Sequence, residues 1–444
     1  MASSPLREQP PSFGGGFSDT AFTDNRTRLL HRWVPWIAGF SGSFVEDVIV
    51  DSSPNGRSLR ILDPFAGVGT TLVEALQQGH SATGFEINPY AALASRIKCQ
   101  ATGFELEELD WAIARMEELA EEEAWRATPP ASVPPPGFRS RVPFFSASIE
   151  PQVLACMDFI QQEPAGWIRD VVRLALGSVM VGFSNYSYEP SLGTRAGAGK
   201  PNVDHADVFA VMGNKLGEMR HDIAALQSRL AHRRRSPAAT VHPCSFMENG
   251  GLVESGTVDL VITSPPYLNN YHYLRNTRPQ LYWLQLVRDI SDIRAIERQS
   301  FGQFWQTVRS GPEVPLSPSL AELEEKLRRL RRRNVDRGTY GGPGWANYAA
   351  TYFNDCQRFC RTLAPLMRPG GRLMVVIGNS ILQGIEFQTD RIFAEIAALE
   401  GFEVVGIHEV RSKRTGNSVV NSAVRVGKVA RPTRLYETAV ELRG

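Results

Sequence analysis

Short apolar runs alternate with amphipathic stretches along the chain, and this pattern predicts strands that are followed by helices. The runs at 59–63, 81–86 and 258–263 have strand length and few polar residues, which is typical of strands buried on both faces of a parallel sheet. After residue 345 the order is a long amphipathic helix, an apolar strand, a second helix and two further strands. This alternation predicts an α/β fold with a doubly wound sheet.

Changes in composition divide the chain into further segments. Residues 1–24 are rich in Pro, Gly and Ser and are expected to form a mobile tail. One main domain is predicted from 25–100 together with 239–444, because the strand-like runs fall there. Residues 101–238 are mainly helical in pattern and contain a Pro-rich linker, so they are expected to be an insertion, and 290–345 is expected to be a second one.

Overall composition excludes several classes of protein. The 444 residues carry a net charge of +1, so any contact with a polyanion must come from local patches. The five cysteines are odd in number and form no C-x-x-C pair, which argues against a disulfide framework or a zinc site and favours a reducing cytoplasmic location without metal. The sequence shows no signal peptide, and no window approaches the ~20 apolar residues that a membrane span requires.

The run at 258–263 stops at Ser264, Pro265, Pro266 and Tyr267. The two prolines fix a stiff backbone at the carboxyl end of a strand, which is the edge where ligands bind in open α/β sheets. The Ser264 hydroxyl and the Pro265 carbonyl would accept hydrogens from an exocyclic amino group of a nucleobase, and the Tyr267 ring would stack on the base. A Pro-rich turn that merely closes a buried strand is the alternative.

A second motif lies after the strand at 59–63, in Asp63-Pro64-Phe65-Ala66-Gly67-Val68-Gly69-Thr70. The two glycines permit a tight turn into a helix and let a ligand approach the backbone at the helix N-terminus. The spacing differs from the dinucleotide-binding and P-loop motifs, so phosphate binding is not favoured. The next strand ends in Glu86, an acid in the position that usually binds ribose hydroxyls, and a surface glutamate is the alternative.

The three stretches DPFAGVGTT, FEINPYA and TSPPY together resemble the motifs of S-adenosylmethionine-dependent DNA amino-methyltransferases, which methylate cytosine N4 or adenine N6. The resemblance implies a mostly parallel, seven-stranded Rossmann-like sheet with helical insertions, whose last strand is antiparallel. It implies S-adenosylmethionine as cofactor. The residues then expected to bind it are Phe40, Ser41, Asp63, Phe65, Gly67, Gly69, Thr70, Glu86 and Asn88.

At one position the chain departs from the family pattern. Related enzymes have an acid that contacts the cofactor adenine after the third strand, where this chain has Pro243-Cys244-Ser245. A Cys or Ser could serve there, and the contact stays open.

Double-stranded DNA is the partner that the resemblance implies, and basic residues in the insertions are the candidates to contact it. The loop at 184–202 combines glycines and tyrosines with Arg195 and Lys200. Arg278 lies in an aromatic-rich segment that follows Ser264-Pro265-Pro266-Tyr267. Cations, including Arg331, Arg332 and Arg333, are concentrated near the C-terminal end of a predicted helix. Their number exceeds what is needed to complement the helix dipole, which favours a contact with phosphate. Ordinary surface loops and a solvated helix end are the alternatives. Residues 101–238 are the candidate target-recognition region.

Serine before the two prolines favours cytosine N4 as the target, since Asp or Asn is commoner there in adenine enzymes of the family. Adenine N6 methylation, RNA base methylation and a non-catalytic DNA-binding subunit are the other hypotheses. The intact Asp63, Gly67, Gly69, Ser264 and Tyr267 argue against the last of these. A restriction or defence-system partner is a further expectation.

Overall fold

A seven-stranded sheet forms the centre of the computed structural model, which describes residues 17–18, 20, 22–36, 39–121, 129–163, 166–188, 191–231, 237–268, 272–413 and 435–444. Its strands are β1 (Arg60–Asp63), β2 (Ser81–Phe85), β5 (Ala239–His242), β6 (Val258–Thr263), β7 (Met367–Gly378), β10 (Glu403–Lys413) and β11 (Leu435–Arg443). Two hairpins supply β3 (Tyr186–Tyr188) with β4 (Leu192–Thr194), and β8 (Ser380–Leu382) with β9 (Ile385–Phe387).

The strand order is β10-β11-β7-β6-β1-β2-β5. The pairs from β7 to β5 are parallel, whereas β11 runs antiparallel to both β7 and β10. The prediction of a mostly parallel, doubly wound, seven-stranded sheet with an antiparallel last strand is therefore confirmed. The order reverses beside β1 and β6, so the crevice between their carboxyl ends is where such a sheet binds a ligand.

Helices cover both faces of this sheet and fill the insertions. Those that accompany the sheet are α1 (Gly42–Ser52), α2 (Thr70–Gln78), α3 (Pro89–Gln100), α8 (Phe246–Asn249), α14 (Gly342–Leu363) and α15 (Thr389–Leu399). The others are α4 (Leu106–Glu121), α5 (Glu150–Gln162), α6 (Trp167–Val179), α7 (Val208–Leu230), α9 (Tyr273–Asn276), α10 (Arg278–Trp283), α11 (Ile290–Gln299), α12 (Trp305–Val308) and α13 (Ala321–Arg331).

Local sequence explains where the helices beside the site begin. Asn88 caps α3 by accepting hydrogen bonds from the backbone N–H groups of Tyr90 and Ala91, and Pro89 occupies the first turn, where no N–H is needed. Helix α2 begins after Gly69, which has the left-handed backbone that a side chain disfavours. Both helices therefore start directly beyond the tips of β1 and β2.

The first insertion lies between β2 and β5, and its hydrophobic core is continuous with buried side chains of the main domain. Helices α4, α5, α6 and α7 contribute buried apolar side chains to this core, and α3 and α10 pack against it. The second insertion follows β6, where Leu323, Leu327 and Leu330 of α13 are buried in the cluster that contains α14.

At the amino end, Thr20 donates a hydrogen bond to Glu437 of β11 at 3.1 Å, and Ser18 N–H donates one to Asp47 at 2.7 Å. The expected mobile tail lies largely outside the described residues, since residues 1–16 belong to the part of the chain that is not described, and it stays a prediction there. In the described part of the chain, no helix combines the length and apolar character needed to cross a membrane. The same residues contain no cluster of side chains suited to a metal ion.

Candidate active site

The carboxyl ends of β1 and β6 are joined by a buried hydrogen bond. Thr263 Oγ1 donates to Asp63 Oδ1 at 2.7 Å, and the backbone N–H of Phe65 donates to the same oxygen at 3.0 Å. Asp63 is 1% exposed, and burial raises the pKa of its carboxyl to about 6. Asp63 therefore fixes the glycine loop on one side and the start of the Ser-Pro-Pro-Tyr segment on the other.

Glu86, at the tip of β2, braces the other end of the same loop. Its Oε2 accepts a hydrogen bond from the backbone N–H of Gly67 at 2.8 Å, and its Oε1 accepts one from Asn88 N–H at 2.7 Å. Burial raises the pKa of this carboxyl to about 7. The side chain keeps partial exposure and lines the adjacent cleft, so its remaining lone pairs are placed to accept ligand hydroxyl groups.

The glycine loop is held in a backbone conformation that its sequence explains. Gly67 and Gly69 have φ values of +53° and +86°. Behind the loop, the fully buried Lys98 of α3 donates a hydrogen bond from Nζ to the Val68 carbonyl at 3.0 Å, and burial lowers the pKa of this amine to about 7. The loop is thus anchored by Glu86 on one side and by Lys98 on the other.

An open cleft of about 990 Å³ begins at this loop, and we call it the cofactor cleft. Six of the nine residues expected to bind the cofactor line it, namely Phe40, Phe65, Gly67, Thr70, Glu86 and Asn88. The other three support its walls. Ser41 caps α1 through Phe44 N–H, Asp63 joins the strand tips, and Gly69 lies against Ser95.

The Ser-Pro-Pro-Tyr segment meets the same cleft. Ser264 and Pro266 line it, whereas Pro265 is buried and Tyr267 lies outside the lining. The Tyr267 ring packs against Gly378, where an added Cβ would lie 3.1 Å from Tyr267 Cε2. Burial raises the pKa of Tyr267 well above its usual range. The stacking role expected for the Tyr267 ring stays a prediction.

Aromatic residues that the sequence motifs did not single out complete the cleft. Trp36 stacks on Tyr273 with ring centroids 5.9 Å apart and an interplanar angle of 15°. Phe301 lies edge-on to Phe65 at 5.2 Å, and Phe304 also lines the cleft. The aromatic density around Tyr273 is visible in the sequence and is typical both of a wall of a base pocket and of a core.

The edge beyond β5 is formed by Cys244, Ser245 and Phe246, which all line the cofactor cleft. Ser245 Oγ donates to the Gln299 carbonyl at 3.3 Å, and Phe246 lies edge-on to Phe85 at 5.3 Å. The segment that departs from the family pattern therefore does reach the cleft, with polar and aromatic groups in place of an acid.

The cleft fits a nucleoside-type cofactor. An added Cβ at Gly67 would meet no atom nearer than Trp36 Nε1 at 3.5 Å, so the glycine backbone can be approached from the cleft. A carboxylate suited to ribose hydroxyls lies beside it, and aromatic rings suited to a base or a methionine chain form the walls.

The basic residues expected to contact DNA fall in three different places. Arg195 and Lys200 line a second cleft in the first insertion. Arg278 packs with its guanidinium 5.8 Å from the Phe138 ring and 5.7 Å from the Tyr282 ring.

The arginines that follow α13 differ in their surroundings. Arg331 forms an ion pair with Glu313 at 3.0 Å, Arg333 donates to the Gln383 carbonyl at 3.1 Å, and Arg332 is exposed. No observation tests DNA contact by Arg195, Lys200, Arg278 or these arginines, which stays a prediction.

Comparison with known proteins identifies relatives that extend over nearly the whole chain. It is 23% identical over 457 residues to Type II methyltransferase M.BsoBI of Geobacillus stearothermophilus, covering 93% of this chain and 85% of the relative. It is 23% identical over 437 residues to Type II methyltransferase M.AvaI of Nostoc sp. and of Anabaena variabilis, covering 93% of this chain and 86% of each. No family model matches the chain. The relatives confirm the resemblance that the three motifs indicated.

Proposed function

We propose that the chain is a site-specific DNA methyltransferase that transfers a methyl group from S-adenosylmethionine to an exocyclic amino group of a DNA base, with cytosine N4 as the favoured target. Relatives named Type II methyltransferases, which cover 93% of the chain, support methylation of restriction–modification type. The observation that carries the proposal is the position of Ser264, which lines the same cleft as the glycine loop and Glu86.

Each part of the cofactor cleft then has a role. Glu86 accepts the ribose hydroxyls while its backbone contacts keep the loop open, and Gly67 leaves room for the cofactor next to the main chain. Phe40 and Phe65 exclude water from the apolar part of the cleft. When bound, S-adenosylmethionine supplies an electrophilic methyl group on its sulfonium sulfur.

Ser264 is placed to act on the nucleophile. The lone pair of an exocyclic amine is delocalised into the ring of the base, and acceptors that take its hydrogens favour the tetrahedral form in which that lone pair is free. Thr263, the residue before Ser264, donates a hydrogen bond to Asp63, and this contact fixes the backbone on which the serine stands. This arrangement orients the amine rather than activating it by full deprotonation, so positioning supplies most of the rate gain.

Access to Ser264 requires that the target base leave the duplex. A stacked base cannot reach a strand tip at the bottom of a cleft, so extrusion is expected, at a cost of a few kcal/mol that contacts in the protein offset. The insertions are the proposed DNA-binding parts, with residues 101–238 as the target-recognition region. The proposed contacts to DNA are Arg195, Lys200, Arg278 and Arg332.

Cytosine N4 is proposed over adenine N6 because serine precedes the two prolines, as the family resemblance implies. Adenine N6 methylation remains the second candidate, since the same acceptors would orient either amine.

The test is transfer of labelled methyl groups from S-adenosylmethionine to unmethylated bacterial DNA, with tRNA as a parallel substrate. We expect label in DNA with the wild-type protein, and Ser264→Ala should lower kcat by about tenfold or more while cofactor affinity is retained. Label that enters tRNA and not DNA would overturn the proposal, as would wild-type turnover in Ser264→Ala.

A further inference from the structure

Four neighbouring strand tips lie along the cofactor cleft in a fixed order. The sheet order is β6-β1-β2-β5, and the lining contains a residue from beyond each tip, namely Ser264, Gly67, Glu86 and Cys244. Neighbouring strands lie ~4.8 Å apart, so the three intervals from β6 to β5 span ~14 Å. The end of the cleft next to β5 is therefore the end farthest from Ser264.

The roles proposed for Ser264 and Glu86 assign this far end to the base of the cofactor. In S-adenosylmethionine the ribose lies between the sulfonium and the adenine. With the methyl group beside Ser264 and the ribose hydroxyls at Glu86, the adenine extends toward Cys244. Ile87 and Cys244 line the cleft there and are partly exposed, so they offer apolar surface to a flat base.

This end of the cleft has no acid to accept hydrogens from the adenine amino group. Among the described residues that line the cleft, Glu86 is the only acid. The next acid along the chain from Ser245 is Glu248, which lies outside the lining and pairs with Arg358 at 2.8 Å. The partner of the amino group must therefore be a neutral acceptor.

A short segment of the second insertion reaches the same end of the cleft. Gln299 is the last residue of α11, and its carbonyl accepts the hydrogen bond from Ser245 Oγ at 3.3 Å. Gln299, Ser300 and Phe301 all line the cleft. The second insertion therefore contributes directly to the cofactor cleft, beside the segment that departs from the family pattern.

The backbone that follows Gln299 is held firmly against α14. Gly302 has a φ of +70°, and its N–H donates to Asp355 at 2.8 Å. An added Cβ at Gly302 would lie 2.8 Å from Tyr352 Cδ2, and the Phe301 ring lies edge-on to Tyr352 at 5.4 Å. These contacts fix the position of Gln299 at the edge of the cleft before any ligand binds.

The side chain of Gln299 has the chemistry that adenine requires. Gln299 is exposed, and within the described part of the chain its amide makes no hydrogen bond, so it can turn toward the cleft. A glutamine amide offers one acceptor and one donor group. Adenine presents an amino group next to a ring nitrogen, and glutamine pairs with both through two hydrogen bonds.

We propose that Gln299, from the second insertion, binds the adenine of S-adenosylmethionine at the β5 end of the cofactor cleft, in place of the acid of the family pattern. This inference rests on the proposed function, because it takes S-adenosylmethionine as the ligand of the cleft. It deepens that function by assigning the selection of the cofactor base to a segment outside the three motifs.

The test is calorimetric titration of the full chain with S-adenosylhomocysteine and with its purine analogue, in which hydrogen replaces the 6-amino group. We expect the wild type to bind S-adenosylhomocysteine about tenfold more tightly than the analogue, the order expected for one hydrogen bond. In Gln299→Ala the ratio of the two affinities should fall to about one. A merely structural effect would weaken both ligands equally and leave the ratio unchanged.

Two further variants serve as controls. Gln299→Glu keeps an acceptor for the amino group and should keep the tenfold ratio. Gln306→Ala changes another exposed glutamine of the second insertion, in α12 and outside the lining of the cleft, and should leave both affinities unchanged. All three substitutions affect exposed side chains, so the unfolding temperature should stay the same.

The outcomes separate this inference from the proposed function. A ratio in Gln299→Ala equal to that of the wild type would overturn the role of Gln299 and leave the proposed methyl transfer standing. Failure of the wild type to bind S-adenosylhomocysteine would overturn both. The expected ratios without methyl transfer to DNA would support the role of Gln299 and count against the proposed function alone.

Discussion

The two glycines of the loop after β1 should respond to the same substitution in different ways, one mainly through cofactor affinity and the other mainly through stability. Both have positive φ, so alanine at either position costs about 1–2 kcal/mol of backbone strain. Their surroundings differ. A Cβ at Gly67 would have Trp36 Nε1 at 3.5 Å as its nearest contact, whereas a Cβ at Gly69 would lie 2.7 Å from Ser95 Oγ and 3.1 Å from Ser95 Cα.

The free energies follow from these distances. Gly67→Ala should lower the free energy of unfolding by the strain of about 1–2 kcal/mol alone. Gly69→Ala adds overpacking against the backbone of α3, which costs a further ~1–3 kcal/mol and brings the loss to about 2–5 kcal/mol. The Gly67 methyl group, in contrast, would lie in the cofactor cleft, where it should weaken S-adenosylmethionine binding by about tenfold or more, equivalent to about 1.4 kcal/mol.

The assay pairs denaturant unfolding with calorimetric titration of S-adenosylmethionine for both variants and the wild type. We expect Gly67→Ala to separate the two quantities, with a large loss of affinity and a small loss of stability, and Gly69→Ala to show the larger loss of stability. Unchanged affinity in a folded Gly67→Ala protein would refute the assignment of this loop to the cofactor.

Two further predictions concern charge. Burial raises the pKa of Glu86 to about 7, and ribose hydroxyls would donate to its ionised form. Affinity for S-adenosylmethionine should therefore fall about tenfold between pH 8 and pH 6, and Glu86→Gln should remove this dependence on pH. A pH profile in the variant that runs parallel to the wild-type profile would contradict the role of Glu86. Arg332→Gln should reduce the salt dependence of DNA binding by about one phosphate contact. Arg331→Gln should change it less, because Arg331 is paired with Glu313. Equal slopes of DNA affinity against salt concentration for Arg332→Gln and the wild type would exclude a phosphate contact by Arg332.

Much of the fold and the centre of the cleft could be predicted from the sequence because they depend on local patterns. Apolar runs of strand length placed β1, β2 and β6, and carboxyl ends of neighbouring parallel strands meet at one edge of a sheet. Glu86 and Ser264 therefore had to come close to the same loop, and both line the cofactor cleft.

What sequence reasoning could not predict are the contacts between distant segments. Trp36 and Tyr273 stack across 237 positions of the chain, and no local periodicity reports such a pair. Lys98 reads as an ordinary helix-end lysine, yet the packing of α3 beneath the loop buries it against the Val68 carbonyl. Arg331 likewise reads as part of a basic patch, although Glu313 neutralises it from a separate segment.

The most direct test of the account is mass spectrometry of nucleosides from cells that express the chain. DNA and RNA are isolated separately, digested and compared between the wild type and Ser264→Ala, with equal amounts of folded protein. The account predicts N4-methylcytosine in the DNA of wild-type cells and its loss with Ser264→Ala, since Ser264 lines the cofactor cleft and is the residue proposed to orient the amine. N6-methyladenine in its place would correct the target base, and the absence of any new methylated base in the DNA would contradict the central claim.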